Sequence, residues 1–452
     1  MIKIPVHIPF HPSRIPLFYG WIALFAGIIG ILMSIPGQTM GVSVFTDHLI
    51  RDLPVDRVQL STAYMIGTIM SGFIITYAGI LYDRMGARVI AMGAGFMLGA
   101  MLFYLSNMDK LSRFFIDLFP GIDHYKTTVV LLVLGFFGIR FFGQGVLTMT
   151  SRNMVMKWFD RRRGFANAIL GVFTAFGFSY SPRLLQDIIS IKGWNDTWVF
   201  LAFIVGILFL VFVFVFFRDN PKDAGQIPDG RIIKKKTDFK TTPDKDYDLK
   251  DAISTYSFWI FNLNITLIAL YITAFTFHVE SIFELEGMGK ETAFSIFLPA
   301  AIVSSIIHVL GSWISDYIRL KYILIFSFLG MVISSIGWLI LGPGARLVPI
   351  ILGNGFVIGT FNILIALTWP RFYGLKHLGK ISGFVISWSV VGSGIGPFLF
   401  SLSEKHLDSY RPAVYIFGSI ALILLFLAFK ANNINDTSNG GIFKKIKEKS
   451  GS

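Results

Sequence analysis

Twelve times along this chain a run of about 20 mostly apolar residues is closed by a short polar break, and that recurrence limits the fold more than any single residue does. The runs fall near 17–44, 59–80, 88–106, 127–151, 163–186 and 197–217, then 256–279, 292–315, 321–342, 347–370, 380–401 and 411–430. None alternates apolar and polar residues as a membrane strand must. The chain therefore reads as an all-α membrane protein of twelve transmembrane helices in two pseudo-symmetric six-helix bundles. Only 15% of residues are charged against 54% hydrophobic, too little polar surface for a soluble protein of 452 residues. Forty-four glycines and 46 phenylalanines suit close helix packing beneath lipid-facing rings. The first run, Leu17 to Pro36, is too long for a signal-peptide core and reads as a retained helix.

Four segments follow: an N-terminal bundle over 1–217, a polar linker over 218–255, a C-terminal bundle over 256–430 and a basic tail over 431–452. The linker holds Lys234, Lys235 and Lys236, and the tail ends GIFKKIKEKS, a composition suited to anionic lipid. Most of the 40 lysines and arginines lie in the termini, the linker and the loops on that same side, including those of Arg84, Arg161, Arg319 and Arg371. The positive-inside rule then places both termini in the cytoplasm of a multi-pass protein, with a bacterial inner membrane the expected site. The net charge of +13 has this topological meaning; no groove-reading motif or basic-aromatic patch points to nucleic acid. The absence of cysteine excludes disulfides, thiolate catalysis and cysteine-bound zinc. No acid-base pair, nucleophile-base set or metal-ligand cluster suggests an enzyme, a metal or a cofactor.

The halves echo one another. GILYDRMGAR, from Gly79 to Arg88, follows the second run, and SWISDYIRLK, from Ser312 to Lys321, follows the eighth. Basic turns likewise follow the fourth run (KWFDRRRG from Lys157) and the tenth (PRFYGLKHLGK from Pro370). In the first motif Gly79 permits close helix approach, Asp83 can cap a neighbouring helix end, Gly86 permits a tight turn, and Arg84 and Arg88 supply cations. With this spacing it resembles the major facilitator superfamily signature Gly-x-x-x-Asp-Arg-x-Gly-x-Arg. The resemblance implies the major facilitator fold, a binding site between the halves near the membrane midplane, and a conformational latch at the 79–88 loop. Asp316, Arg319 and Lys321 form its degenerate copy. FYGWIALFAG, GVSVFTDHL, KWFDRRRGFANAI and WPRFYGLKHLGKISG further resemble the monocarboxylate transporter and oxalate:formate antiporter branch.

Charge at mid-bilayer costs about 2.5–3.5 kcal/mol even on the lenient insertion scale, so each such group asks for a reason. Arg140, in GIRFFGQGV midway along the fourth run, offers a planar fork matched to a carboxylate. The competing reading is that it holds helix carbonyls together. His308 stands four residues before Ser312, where the resembling branch carries a substrate-binding arginine, and it can bind an anion or a proton; the alternative is a neutral packing residue. The first and eleventh runs lack the lysines that anchor anions in that branch, and Ser304 replaces its acid. The deep spans hold cations without a matching deep acid, since Asp47 and Glu280 stand at helix ends, and this favours an anionic substrate. Gln38, Gln144, Asn264, Tyr271, Asn354, Asn362 and Trp388 are weaker polar candidates, each equally able to bond a neighbouring helix. Gly392, Gly394, Gly396 and Pro397 read as a bend and close packing, not a nucleotide loop.

The sequence thus points to a monomeric secondary transporter that moves a small organic anion, a mono- or dicarboxylate, by alternating access with proton symport or anion exchange. Two rivals stay open: export of amphipathic compounds, and a transporter-like sensor without net flux.

Overall fold

The computed structural model describes residues 4–118, 124–230, 243 and 246–432. The linker lysines and nearly all of the basic tail lie outside the described residues, as do the side chains of Asp47 and Glu280. Among the described residues the regular structure is helical, and eleven helices are long and apolar enough to cross a membrane. A twelfth apolar helix, Gly20–Leu32, is shorter.

In chain order the long helices are the second (Arg57–Met85), third (Ala87–Ser106), fourth (Tyr125–Trp158), fifth (Arg163–Lys192) and sixth (Trp194–Phe216). The seventh (Tyr256–Leu285), eighth (Phe297–Ile314), ninth (Leu320–Leu339), tenth (Val348–Tyr373), eleventh (Leu378–Leu407) and twelfth (Arg411–Ala428) complete the set. These elements lie where the apolar runs predict them, with two informative differences. The first run is not one continuous helix: it stops at Leu32 and continues as the short turns Ile35–Gly37 and Thr39–Ser43. Pro36 has no N–H to donate and Gly37 is a poor helix former, so the segment breaks there. The fourth helix runs seven residues past the expected end at 151, through MVMKW to Trp158, because the polar residues 151–153 are helix-compatible and packed.

Local chemistry explains the helix starts. Asp56 and Gln59 form a reciprocal capping box at 2.8 and 2.9 Å before the second helix. Thr255 caps the seventh by accepting from the Phe258 amide at 3.4 Å. Between the second and third helices Gly86 has φ of +87°, and a Cβ there would fall 2.1 Å from the Asp219 carboxylate, so the turn requires glycine twice over.

The chain separates into two compact units. One is drawn from Met1–Phe159, Ile169–Ile232 and Gly379–Gly394, the other from Asp160–Ala168, Ile233–Leu378 and Ile395–Ser452. The first unit thus contains most of the first six helices and the opening half of the eleventh. The second contains the remaining helices and the turn that opens the fifth.

Candidate binding residues and loop latches

The broken first helix meets an irregular stretch of the fourth. Residues Arg140–Leu147 form a π-helical segment inside the fourth helix, a feature that is rare and frequent at functional sites. A Cβ on Gly37 would sit 2.2 Å from the Ile139 carbonyl, so only glycine allows the two backbones to meet. At that crossing the buried Arg140 donates from one terminal nitrogen to the Gly37 carbonyl at 3.2 Å and to the Thr39 hydroxyl at 3.3 Å. Its guanidinium carbon lies 5.2 Å from the centre of the Tyr64 ring, and Tyr64 in turn donates to Thr39 at 2.9 Å. The Nε of Arg140 has no hydrogen-bond partner, and among the described residues no carboxylate pairs with this guanidinium. Between Gly37 and Thr39, Gln38 donates to Ser34 at 3.0 Å and to Thr148 at 3.2 Å. Arg140, Gln38, Thr39, Tyr64 and Thr148 therefore form one polar cluster where the first and fourth helices cross. Gln144 lies half-buried within the π segment.

In the second unit several candidates are occupied with one another. Asn264 and Ser327 exchange hydrogen bonds at 3.2 and 3.3 Å. Seven residues further along both helices, Tyr271 donates to Asn354 at 2.8 Å, touches Ser334 and accepts from the Trp338 indole at 3.0 Å. Ser334 also donates to Asn354 at 2.8 Å. These are two rungs of a ladder between the seventh and ninth helices, tied to the tenth at Asn354; the groups are fully buried and mutually satisfied. Asn362 is half-buried on the tenth helix, while Trp388 on the eleventh is 38% exposed and rests on Phe384 at 6.2 Å. His308 is buried, with Nε2 3.3 Å from the Asn167 carbonyl; Asn167 donates its side chain to Ser312 at 3.1 Å. A carbonyl accepts only, so this contact places a proton on Nε2.

Each loop motif sets an aspartate against the N-terminus of another helix. The Asp83 carboxylate accepts the amides of Gly379 at 2.7 Å and Lys380 at 2.8 Å, at the N-terminus of the eleventh helix, where free N–H groups and the helix dipole favour an anion. Asp316 does the same at the start of the fifth helix, with Gly164 at 2.8 Å and Phe165 at 3.1 Å. Asp316 additionally pairs with Arg371 at 2.6 Å. Burial pushes the Asp316 carboxyl above the ordinary carboxylate range, against the opposing pull of Arg371 and the two amides. Gly79 opposes Gly379 so closely that a Cβ would lie 2.0 Å from its carbonyl.

The cations of the motifs divide. Arg84 and Arg319 are exposed. Arg88 is buried, bonding the carbonyls of Pro5, Ile8 and Phe214, while its backbone amide reaches Asp219 at 3.0 Å. Lys321 donates to Asn432 at 2.8 Å. Sequence reasoning did not single out Thr39, Tyr64 or Thr148. Thr39 stands two residues after Gly37 of the Pro-Gly break, and that closeness was the available signal; Tyr64 comes from a distant position and Thr148 meets the first helix only on folding.

The description "Major Facilitator Superfamily" fits the chain over residues 22–397. An uncharacterized MFS-type transporter of Escherichia coli strain K12, YhjX, is 24% identical over 362 residues, covering 76% of this chain and 77% of that protein. Among solved structures, the proton:xylose symporter XylE aligns over 91% of this chain and 95% of its own, at 14% identity and a TM-score of 0.57. The E. coli fucose:proton symporter FucP aligns over 92% and 97%, at 13% identity and 0.59. The human organic anion transporter MFSD10 aligns over 90% and 99%, at 12% identity and 0.61. At these identities the structural likenesses establish the fold alone.

Proposed function

The chain belongs to the Major Facilitator Superfamily and is a membrane transporter, not an enzyme, and from that premise we propose that its cargo is a small organic anion, a mono- or dicarboxylate. The observation that carries this reading is Arg140. A guanidinium does not lose its charge in a protein, and a buried one is costly unless an anion compensates it. Here its protein partners are a carbonyl, a hydroxyl and an aromatic face, all neutral. A carboxylate arriving at this cluster supplies the missing charge and accepts from the fork, while Gln38 and Tyr64 orient its remaining oxygens. His308 is the second group, binding the anion once protonated or carrying a coupled proton. Asn264, Tyr271 and Asn354 hold the ladder and are left out of the site; Gln144, Asn362 and Trp388 stay as peripheral contacts.

In this reading transport proceeds by alternating access of two six-helix halves, 1–217 and 256–430, in a bacterial inner membrane with both termini cytoplasmic. The Asp83 and Asp316 latches stabilise one conformation. Proton symport and anion exchange are both compatible with His308 and Arg140. Relatives of the same fold include sugar symporters as well as an organic anion transporter, so cargo must be argued from side chains.

The test is uptake of labelled lactate, pyruvate, formate and oxalate by the purified protein in liposomes, with and without a proton gradient and internal counter-anion. Xylose and fucose serve as neutral comparisons. Saturable carboxylate uptake abolished by Arg140→Ala, with folding intact, supports the proposal. Sugar uptake without carboxylate uptake, or unchanged carboxylate uptake in Arg140→Ala, refutes it.

A further inference from the structure

Twelve residues beyond Arg140 on the fourth helix stands Arg152, which falls outside the span expected from the sequence and inside the helix as folded. It is half-buried, and its Nε has no hydrogen-bond partner. Among the described residues its guanidinium makes no hydrogen bond, ion pair or ring contact at all. A group with five donors and a permanent charge is held in a packed helix bundle with nothing among the described residues to receive it.

Its direction follows from its neighbours. Ser151 and Val155 pack on Gly30 and Gly27 of the first helix, where added Cβ atoms would come within 2.2 and 2.4 Å of them. On the other side Asn153 donates to Ser382 of the eleventh helix at 2.7 Å. With about 100° per residue, Arg152 projects between these two directions, into the corner where the first, fourth and eleventh helices meet within one unit.

The π segment also sets its relation to Arg140. In a regular α-helix, residues twelve apart differ in direction by about 120°. A π-bulge absorbs one extra residue, so the 140-to-152 step behaves as about eleven residues and the difference falls to about 20°. Thr148, between them, confirms the shared face by reaching Gln38 and Ser34 of the same first-helix segment that Arg140 contacts. The two arginines are about 16–17 Å apart along the helix, so one small carboxylate meets them in succession.

We propose that Arg152 is a second anion-binding residue on the transport route, receiving the carboxylate after Arg140 and holding it nearer the end of the helix that carries the basic turn from Lys157. The π segment is what puts both cations on one face. This inference rests on the anion reading above and adds to it a second station and an order.

The chain has no cysteine, which makes the test direct. The full-length protein carrying Arg152→Cys is placed in liposomes and offered labelled pyruvate, formate and oxalate below saturation. Uptake is expected to fall about tenfold or more, the loss of one desolvated charge contact. Treatment with aminoethyl methanethiosulfonate, which returns a cation to position 152, restores it; methyl methanethiosulfonate, which returns bulk alone, does not. Substrate slows the labelling. Undiminished uptake, equal recovery with the neutral reagent, or labelling unaffected by substrate overturns the assignment. Should Arg152→Cys fail to fold, Arg152→Lys keeps the charge and loses the fork: a raised KM with unchanged folding supports the role, and a parental KM refutes it. If the parent protein moves none of the three carboxylates, the anion reading itself falls and takes Arg152 with it, an outcome visible before any variant is made.

Discussion

Gly79→Ala adds a single carbon at the tightest point between the second and eleventh helices, and its consequence can be followed atom by atom. The new Cβ would lie 2.0 Å from the Gly379 carbonyl oxygen, whereas ordinary contact begins at 3.4 Å, so the helices must separate by about 1.4 Å. The obstacle is backbone and has no rotamer to escape into. Asp83 sits one turn further along the second helix and accepts the Gly379 and Lys380 amides at 2.7 and 2.8 Å. Separation of that size takes both beyond hydrogen-bonding reach. Hydrogen bonds to charged groups contribute about 1.5–3 kcal/mol each; Asp83 is half-buried, which favours the lower figure, so the closely packed form of the helix pair loses about 3 kcal/mol. That is about two orders of magnitude in its population. Thr76 and Ser387, whose hydroxyls are 3.1 Å apart across the same helix pair, provide the readout when both are replaced by cysteine in this cysteine-free chain. Disulfide formation between Thr76→Cys and Ser387→Cys should be slowed at least tenfold by Gly79→Ala, and thermal stability should drop. Cross-linking at the parental rate with unchanged stability would refute the argument, because the close approach would then not constrain the helix pair.

Other consequences are equally open to measurement. Asp316→Asn leaves Arg371 buried without its carboxylate and should cost about 3–5 kcal/mol in stability, while the double change Asp316→Asn with Arg371→Met should recover part of it; a double variant no better than the single would count against the pairing. Tyr271→Phe strips a rung from the seventh–ninth ladder and should lower stability by about 0.6–1.7 kcal/mol with KM unchanged, and a changed KM would return Tyr271 to the binding site. The Asp52 carboxyl is held below its ordinary range first by the hydrogen bond from Arg51 and then by that from the Trp194 indole at 2.7 Å. Its folded pKa lies below the unfolded one, so its contribution is present above about pH 4 and fades as pH falls through the folded value. Trp194→Phe should move the onset of acid destabilisation to higher pH, and an unmoved acid limb of melting temperature against pH would contradict this.

How much of the site could be read in advance varies with the range of the interaction. Arg140 stood out in the sequence because one charge in an apolar run is conspicuous. Its partners were hidden: Thr39 and Tyr64 are ordinary residues of their segments, and only the meeting of a proline-broken first helix with a π segment brings them to the guanidinium. Arg152 was hidden differently. A span of ordinary length ends before it, and only the continuation of the fourth helix to Trp158 places it in the bundle. Asn264, Tyr271 and Asn354 look like free polar candidates in one dimension, yet their partners on the ninth helix lie 63 residues away for Asn264 and Tyr271 and 20 for Asn354.

The linear chain by itself determined that this is a helical membrane protein with a doubled loop motif. Lipid leaves a backbone no option but to satisfy its own hydrogen bonds locally, and local rules are legible in local residues. The tertiary structure alone decided which buried polar groups hold the bundle and which keep donors without a protein partner. That distinction depends on contacts between helices far apart in sequence, and on one extra residue in a helical turn that rotates Arg152 beneath Arg140.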